Sequence, residues 1–185
     1  MIAPPLEGPR LRLRHLRQAE VDDRYVSWLN DPEVTRYLDS GRTPATVETL
    51  RRYVGRFEES DTDLLWAIVD RASGRHVGNV TLNRIDWVHR RGDTGLLIGE
   101  KEFWGRGCAT EAWYLVADHA FRGLALHKVL AGACVANVGS VKALKRLGFR
   151  VEGIARQEFY LDGGYLDVAR LGLLAGELAP NLPAT

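Results

Sequence analysis

Residues 93–112, reading D-T-G-L-L-I-G-E-K-E-F-W-G-R-G-C-A-T-E-A, decide the fold of this chain. A short apolar run at 94–98 reads as a strand. It ends in a loop with glycines at 105 and 107, and an alanine-rich amphipathic segment starts at Cys108. Strand, glycine loop and helix start in that order aim several unpaired backbone N–H groups, and the positive end of a helix dipole, at one point. That point suits an anion, with a pyrophosphate the foremost candidate.

The pattern on either side completes a sheet. Residues 10–16 (R-L-R-L-R-H-L) alternate strictly and read as a first strand with Leu11 and Leu13 inward. Residues 20–29 put Val21, Tyr25, Trp28 and Leu29 on one helical face, stopped by Asn30-Asp31-Pro32. Residues 46–57 carry a second helical stripe of Val47, Leu50, Tyr53, Val54 and Phe57. A hairpin is expected over 64–70 and 75–82, with 71–74 as its turn. After the central strand, residues 108–121 form a helix whose apolar positions 109, 112, 113, 116, 117 and 120 follow the 3.6 period. Residues 128–135 read as a buried strand and 138–146 as a short helix. A final strand pair begins at 149–152, turns at Asp162-Gly163-Gly164, and closes with 166–174. The order β-α-α-β-β-β-α-β-α-β-β makes an α/β (α+β mixed) fold, a mixed sheet with helices on both faces. The chain, residues 1–185, is expected to be a single domain with an ordered core of about 10–178. Its tails, up to about Pro9 and from Pro180 onward, are expected to be loose.

The totals narrow the function classes. With 185 residues the chain can bury a core without staples, and 45% hydrophobic with 26% charged residues is a soluble globular profile. A net charge of +1, from 25 basic and 24 acidic residues, gives no nucleic-acid footprint. The local candidate, His89-Arg90-Arg91, reads first as a solvated turn. Cys108 and Cys134 alone build neither a disulfide framework nor a zinc site, so no metal is expected. No signal-peptide pattern and no membrane-spanning run is present, and a cytoplasmic location is expected.

Three readings compete for the glycine loop at 104–109. A dinucleotide fingerprint fails, because Thr110 occupies the third glycine position and the next strand ends without an acidic residue, in Cys134-Val135-Ala136. A Walker loop fails for want of Gly-Lys-Ser/Thr. A tight turn with no ligand remains. The loop is followed about 30 residues later by Asn137-x-x-Ser140 and then Gly148-Phe149. This combination resembles the GNAT superfamily of acetyl-CoA-dependent N-acyltransferases. The pattern Gln/Arg-x-x-Gly-x-Gly/Ala is matched at Gly107 and Ala109, with Trp104 where Gln or Arg is usual. Trp104-Gly-x-Gly-x-Ala-Thr-Glu-Ala112 and Trp28-Leu-Asn-Asp-Pro32 are similar to the RimJ/RimL branch. The resemblance spans nearly the whole chain and implies a mostly antiparallel mixed sheet.

It also implies roles. Trp104, Gly105, Arg106, Gly107, Cys108, Ala109 and Thr110 would cradle the pyrophosphate of acetyl-CoA, and glycine allows its close approach. The pantetheine arm would run along residues 96–99, with a backbone N–H near Ile98 or Gly99 facing the thioester carbonyl. Asn137 would bond the pantetheine, or cap the next helix, or both. Ser140 would position or relay a proton near the leaving sulfur; a local backbone bond is its plainer reading. Thr94 stands where a catalytic carboxylate is common, so Asp93 and Glu100 are the candidate bases, each also readable as a surface acid. Cys108 at a helix start is expected to have a lowered pKa. A ping-pong acyl-cysteine route is conceivable on that ground, yet the resemblance implies direct attack in a ternary complex. His119 and His127 read as packing or surface residues.

The acceptor amine stays open. RimJ/RimL relatives acetylate protein N-termini, those of ribosomal proteins included, and other relatives acetylate amino sugars on nucleotides. Residues 85–91, 97–101, 126–128 and 162–168 resemble the second set, while Asp31, Glu33 and Asp39 suit a cationic peptide or polyamine. A non-catalytic acyl-CoA sensor is the alternative of another class. The expected partners are acetyl-CoA, the amine and a second copy in a homodimer, with neither nucleic acid nor membrane.

Overall fold

The computed structural model describes residues 1–40 and 43–182. Its centre is an eight-stranded sheet in the order β1-β2-β3-β4-β5-β6-β8-β7. Strands β1 (Leu6–Glu7), β2 (Leu11–His15), β3 (Leu64–Asp70), β4 (His76–Asp86) and β5 (Arg91–Ile98) run antiparallel to their neighbours. β6 (Lys128–Cys134) lies parallel to β5, then β8 (Gly164–Leu174) and β7 (Arg150–Leu161) pair antiparallel again.

Strand alternation separates two cores. Leu11, Leu13, Leu64, Trp66, Ile68, Val80 and Leu82 face α3 (Cys108–Asp118) and α4 (Val138–Arg146). Leu65, Ala67 and Leu97 face α1 (Asp23–Asn30) and α2 (Val47–Glu59) on the other side. Side-chain caps start both of these helices: Asp22 accepts from the Tyr25 amide, and Thr46 from the Thr49 amide. The mixed, mostly antiparallel sheet covered on both faces is the architecture expected from the sequence.

Three expectations are corrected. The N-terminal tail is not loose. Its strand β1 pairs with β2, Ala3 is buried, and Pro4 supplies the carbonyl for the indole N–H of the fully buried Trp66 at 2.7 Å. A buried indole N–H is usually paired, and here the tail provides the acceptor. The third helix is regular only to Asp118. His119–Gly123 is a π-helical turn, closed by the Leu124 amide bonding to the His119 carbonyl. The central strand starts at Arg91 rather than Thr94, so Arg91 belongs to β5 and pairs with Asp86 instead of joining a basic turn. Of the C-terminal tail, residues 183–185 lie outside the described residues.

Candidate active site

The parallel strands β5 and β6 pair only from Arg91↔Lys128 to Thr94↔Ala131. Beyond that level β5 stays with β4 as far as Ile98, and β6 stays with β8 as far as Cys134. The two strand ends therefore splay, leaving a wedge-shaped gap edged by backbone groups that no sheet partner takes.

Parity shows which groups face the gap. The Gly99 amide donates to the Val77 carbonyl of β4 at 2.9 Å. Leu97 and Gly95, in step with Gly99, also point to β4, so Thr94, Leu96 and Ile98 point to the β6 side. The Trp104 indole confirms the direction by donating to the Ile98 carbonyl at 2.9 Å. Gly99 is thus taken as a donor, whereas Leu96, which the sequence did not single out, presents its N–H to the gap nearer the apex. Gly99 is glycine for another reason. A Cβ there would lie 2.0 Å from the Trp28 ring, which packs flat against the strand from α1.

At the open end of the gap the chain turns through Gly105 and Gly107, both left-handed at φ +70° and +77°, into α3. The first helical bond runs from the Glu111 amide to the Gly107 carbonyl at 3.0 Å. The amides of Cys108, Ala109 and Thr110 precede it and have no intrahelical acceptor. A Cβ on Gly105 would meet nothing within 4 Å, so the cradle opens outward, with Arg106 exposed beside it. An anion with several oxygens fits this concavity and the dipole behind it. Cys108 is buried, and desolvation pushes its thiol pKa up, against the lowering expected from the helix start. A buried thiol held protonated is a poor nucleophile.

Across the gap, β6 ends at Cys134 and Asn137 caps α4, its Oδ1 accepting from the Ser140 amide at 3.2 Å. The cap reading of Asn137 is met directly, and Ser140 sits half-buried in the first turn of α4. The second helix N-terminus therefore also opens at the wedge.

The candidate bases part company. Asp93 lies one residue before the apex, half-buried and bonded to Arg84 at 2.9 Å. Burial raises its pKa from the ordinary value, with Arg84 and Arg170 opposing the rise. Glu100 lies past the far end of β5; about 16 Å of extended strand separates Asp93 from Ile98 alone. It accepts from the Trp28 indole at 3.2 Å and pairs with Arg75 at 2.8 Å. Thr94 bonds the Thr81 carbonyl at 2.8 Å within the sheet. His119 packs edge-on to Trp66 and His127 is exposed, so neither joins the site. Among the described residues no His, Cys, Asp and Glu cluster could hold a metal ion, and no helix is long and apolar enough to cross a membrane.

Residues 10–150 match the family model for the acetyltransferase (GNAT) domain. The chain is 32% identical over 158 residues to spermidine N(1)-acetyltransferase of Escherichia coli, covering 84% of this chain and 83% of that protein. It is 30% identical over 151 residues to the putative ribosomal N-acetyltransferase YdaF of Bacillus subtilis, covering 80% and 81%. The structure of spermidine N-acetyltransferase from Vibrio cholerae in complex with CoA and spermine superposes with a TM-score of 0.82 at 24% identity, covering 92% and 98%, a likeness of fold. A sheet that splays between two helix N-termini, with a glycine cradle at one of them, is therefore that of a known enzyme class: the chain belongs to the GNAT acetyltransferases and is an N-acetyltransferase.

Proposed function

We propose that the protein transfers the acetyl group of acetyl-CoA directly to the primary amine of a peptide N-terminus, within a ternary complex. The pyrophosphate lies on the amides of Gly107–Thr110, and the arm runs back along β5 past Ile98 to the apex. There the Leu96 N–H receives the oxygen of the thioester. The amine attacks the carbonyl carbon, the C–N bond forms, and negative charge collects on that oxygen. Collapse breaks the C–S bond and expels the thiolate, whose low basicity asks little of Ser140 beyond positioning or relaying a proton. The ammonium proton passes to Asp93, directly or through water. Burial makes Asp93 a stronger base than an ordinary aspartate.

The acceptor class rests on one observation, the pairing of the acids that a cationic acceptor needs. Asp31 and Glu33 both close on Lys101, at 2.8 and 2.5 Å. Glu152 holds Lys128, and Glu158 holds Arg170. At the hairpin tip Asp162 holds Arg36. A polyamine brings several charges and needs several uncommitted carboxylates, whereas an N-terminal amine needs one proton acceptor. The second reading, a polyamine acceptor, is favoured by the spermidine acetyltransferase relatives. Thiol release from acetyl-CoA with a short peptide, spermidine and an amino-sugar nucleotide in parallel separates the readings. The peptide is expected to give the largest kcat/KM; a larger value for spermidine overturns the assignment. Tight CoA binding with no turnover of any amine would favour the sensor.

A further inference from the structure

We propose that Arg10, immediately before β2, is the strut that sets the pyrophosphate cradle, by pinning the Arg106 carbonyl so that the Gly107 N–H faces the anion. The inference rests on the loop reading above and adds a residue far away in sequence.

Glu111, in the first turn of α3, is completely buried. It is held from β2: its Oε1 accepts from the amides of Arg10 and Leu11 at 2.8 Å each, and its Oε2 from the Arg10 Nε at 2.9 Å. The rigid fork of the guanidinium then extends past the carboxylate, and its Nη1 donates to the Arg106 carbonyl in the glycine loop. One side chain thereby ties strand, helix and loop together.

The consequence follows from peptide geometry. The peptide joining Arg106 to Gly107 is trans, so the C=O of Arg106 and the N–H of Gly107 point in opposite directions. With the carbonyl drawn toward Arg10, the Gly107 N–H turns away from β2 and joins the amides of Cys108–Thr110. The far side of Gly107 is fixed as well, since its own carbonyl takes the Glu111 amide. A peptide between Arg106 and a glycine flips at little cost unless held. Arg10 holds it without touching the ligand, which makes it a positioning residue.

The test uses two probes: CoA, and pantetheine, which shares the thiol arm and lacks the diphosphate. The readout is the ratio of their dissociation constants for the full chain. Arg10→Met removes both contacts. Arg10→Lys keeps a cation for the buried Glu111 and so protects the fold, but its single ammonium cannot also reach the Arg106 carbonyl. In both variants the preference for CoA over pantetheine is expected to fall about tenfold, the worth of one hydrogen bond to a charged group. An unchanged preference in Arg10→Lys overturns the strut, as does an equal loss of both affinities, the mark of a merely structural role. A wild-type protein that binds the two probes alike overturns the loop reading itself, and the strut with it.

Discussion

Gly107 carries two requirements at once: a left-handed backbone at φ +77°, and an amide edge that no side chain crowds. Replacing it with glutamate puts a carboxylate into the anion cradle and adds about 1 kcal/mol of backbone strain. Gly107→Glu is expected to abolish CoA binding in a calorimetric titration; undiminished affinity would remove the loop from the site. The oxyanion donor is testable in the same spirit. Leu96 points its N–H to the gap rather than to β4, so proline there deletes the donor without breaking the ladder. Leu96→Pro is expected to lower kcat by roughly 100–1,000-fold while CoA still binds. A kcat near wild type would move the oxyanion elsewhere. The two residues differ in how far the sequence reveals them. Gly107 is legible because its loop stands in one pattern with Asn137, Ser140 and Gly148-Phe149 further along the chain. Leu96 is not, because its direction depends on the register of β4 against β5 and on where β6 departs, and no local pattern encodes that.

At the scale of elements, periodicity located α2, α3 and α4 and the β3–β4 hairpin to within a few residues, since each buries one regular stripe. What it missed was decided by distant partners. The strand β1 exists because β2 has a free edge and Trp66 needs a carbonyl. The π-helical turn places His119 beside Gly123, where a Cβ would lie 2.4 Å from the ring. The contact of α1 with β5 was equally hidden: Trp28 looked like one member of an apolar stripe, and Gly99 like part of the coenzyme site. In the fold they are one joint, with the indole lying on the glycine and bonded to Glu100. Gly99→Ala forces the ring off the strand and is expected to cost about 1–3 kcal/mol in denaturant unfolding. In a Trp28→Ala background the same methyl meets open space, so the second substitution should cost at least 1 kcal/mol less than it does alone. Strict additivity would mean that the joint carries no strain-sensitive packing.

Over the whole molecule, the pH dependence of stability near neutrality comes down to two imidazole rings, His76 buried and His119 half-buried, rather than to the net charge. His76 on β4 is 8% exposed and edge-on to Trp28 at 5.0 Å and to Tyr25 at 6.2 Å. Its Nε2 faces the Gly78 carbonyl and the Asn79 Oδ1, both at 2.9 Å. Desolvation lowers its pKa below the ordinary 6.5, Arg14 and Arg24 push the same way, and the two acceptors oppose them. His119 is lowered by burial also, with Asp118 opposing. In the unfolded chain these rings take a proton near pH 6.5, whereas in the folded chain they resist it. Their contribution is therefore complete above that value and is lost as the pH falls through the lower, folded pKa. Asp63, Asp70 and Asp86 have lowered pKa values, so their losses come further into acid; Asp93, raised by burial, acts in the opposite sense. The melting temperature should accordingly drop between about pH 7.5 and pH 5, and His76→Gln, neutral at every pH, should flatten part of that slope. An equal slope in the variant would acquit His76. The effect reaches the chemistry because His76 braces Trp28, and Trp28 lies on the strand that ends at the splayed gap. Acid should therefore weaken CoA binding in the wild type before global unfolding, and to a lesser degree in His76→Gln. Binding and unfolding curves recorded on the same samples would check that order.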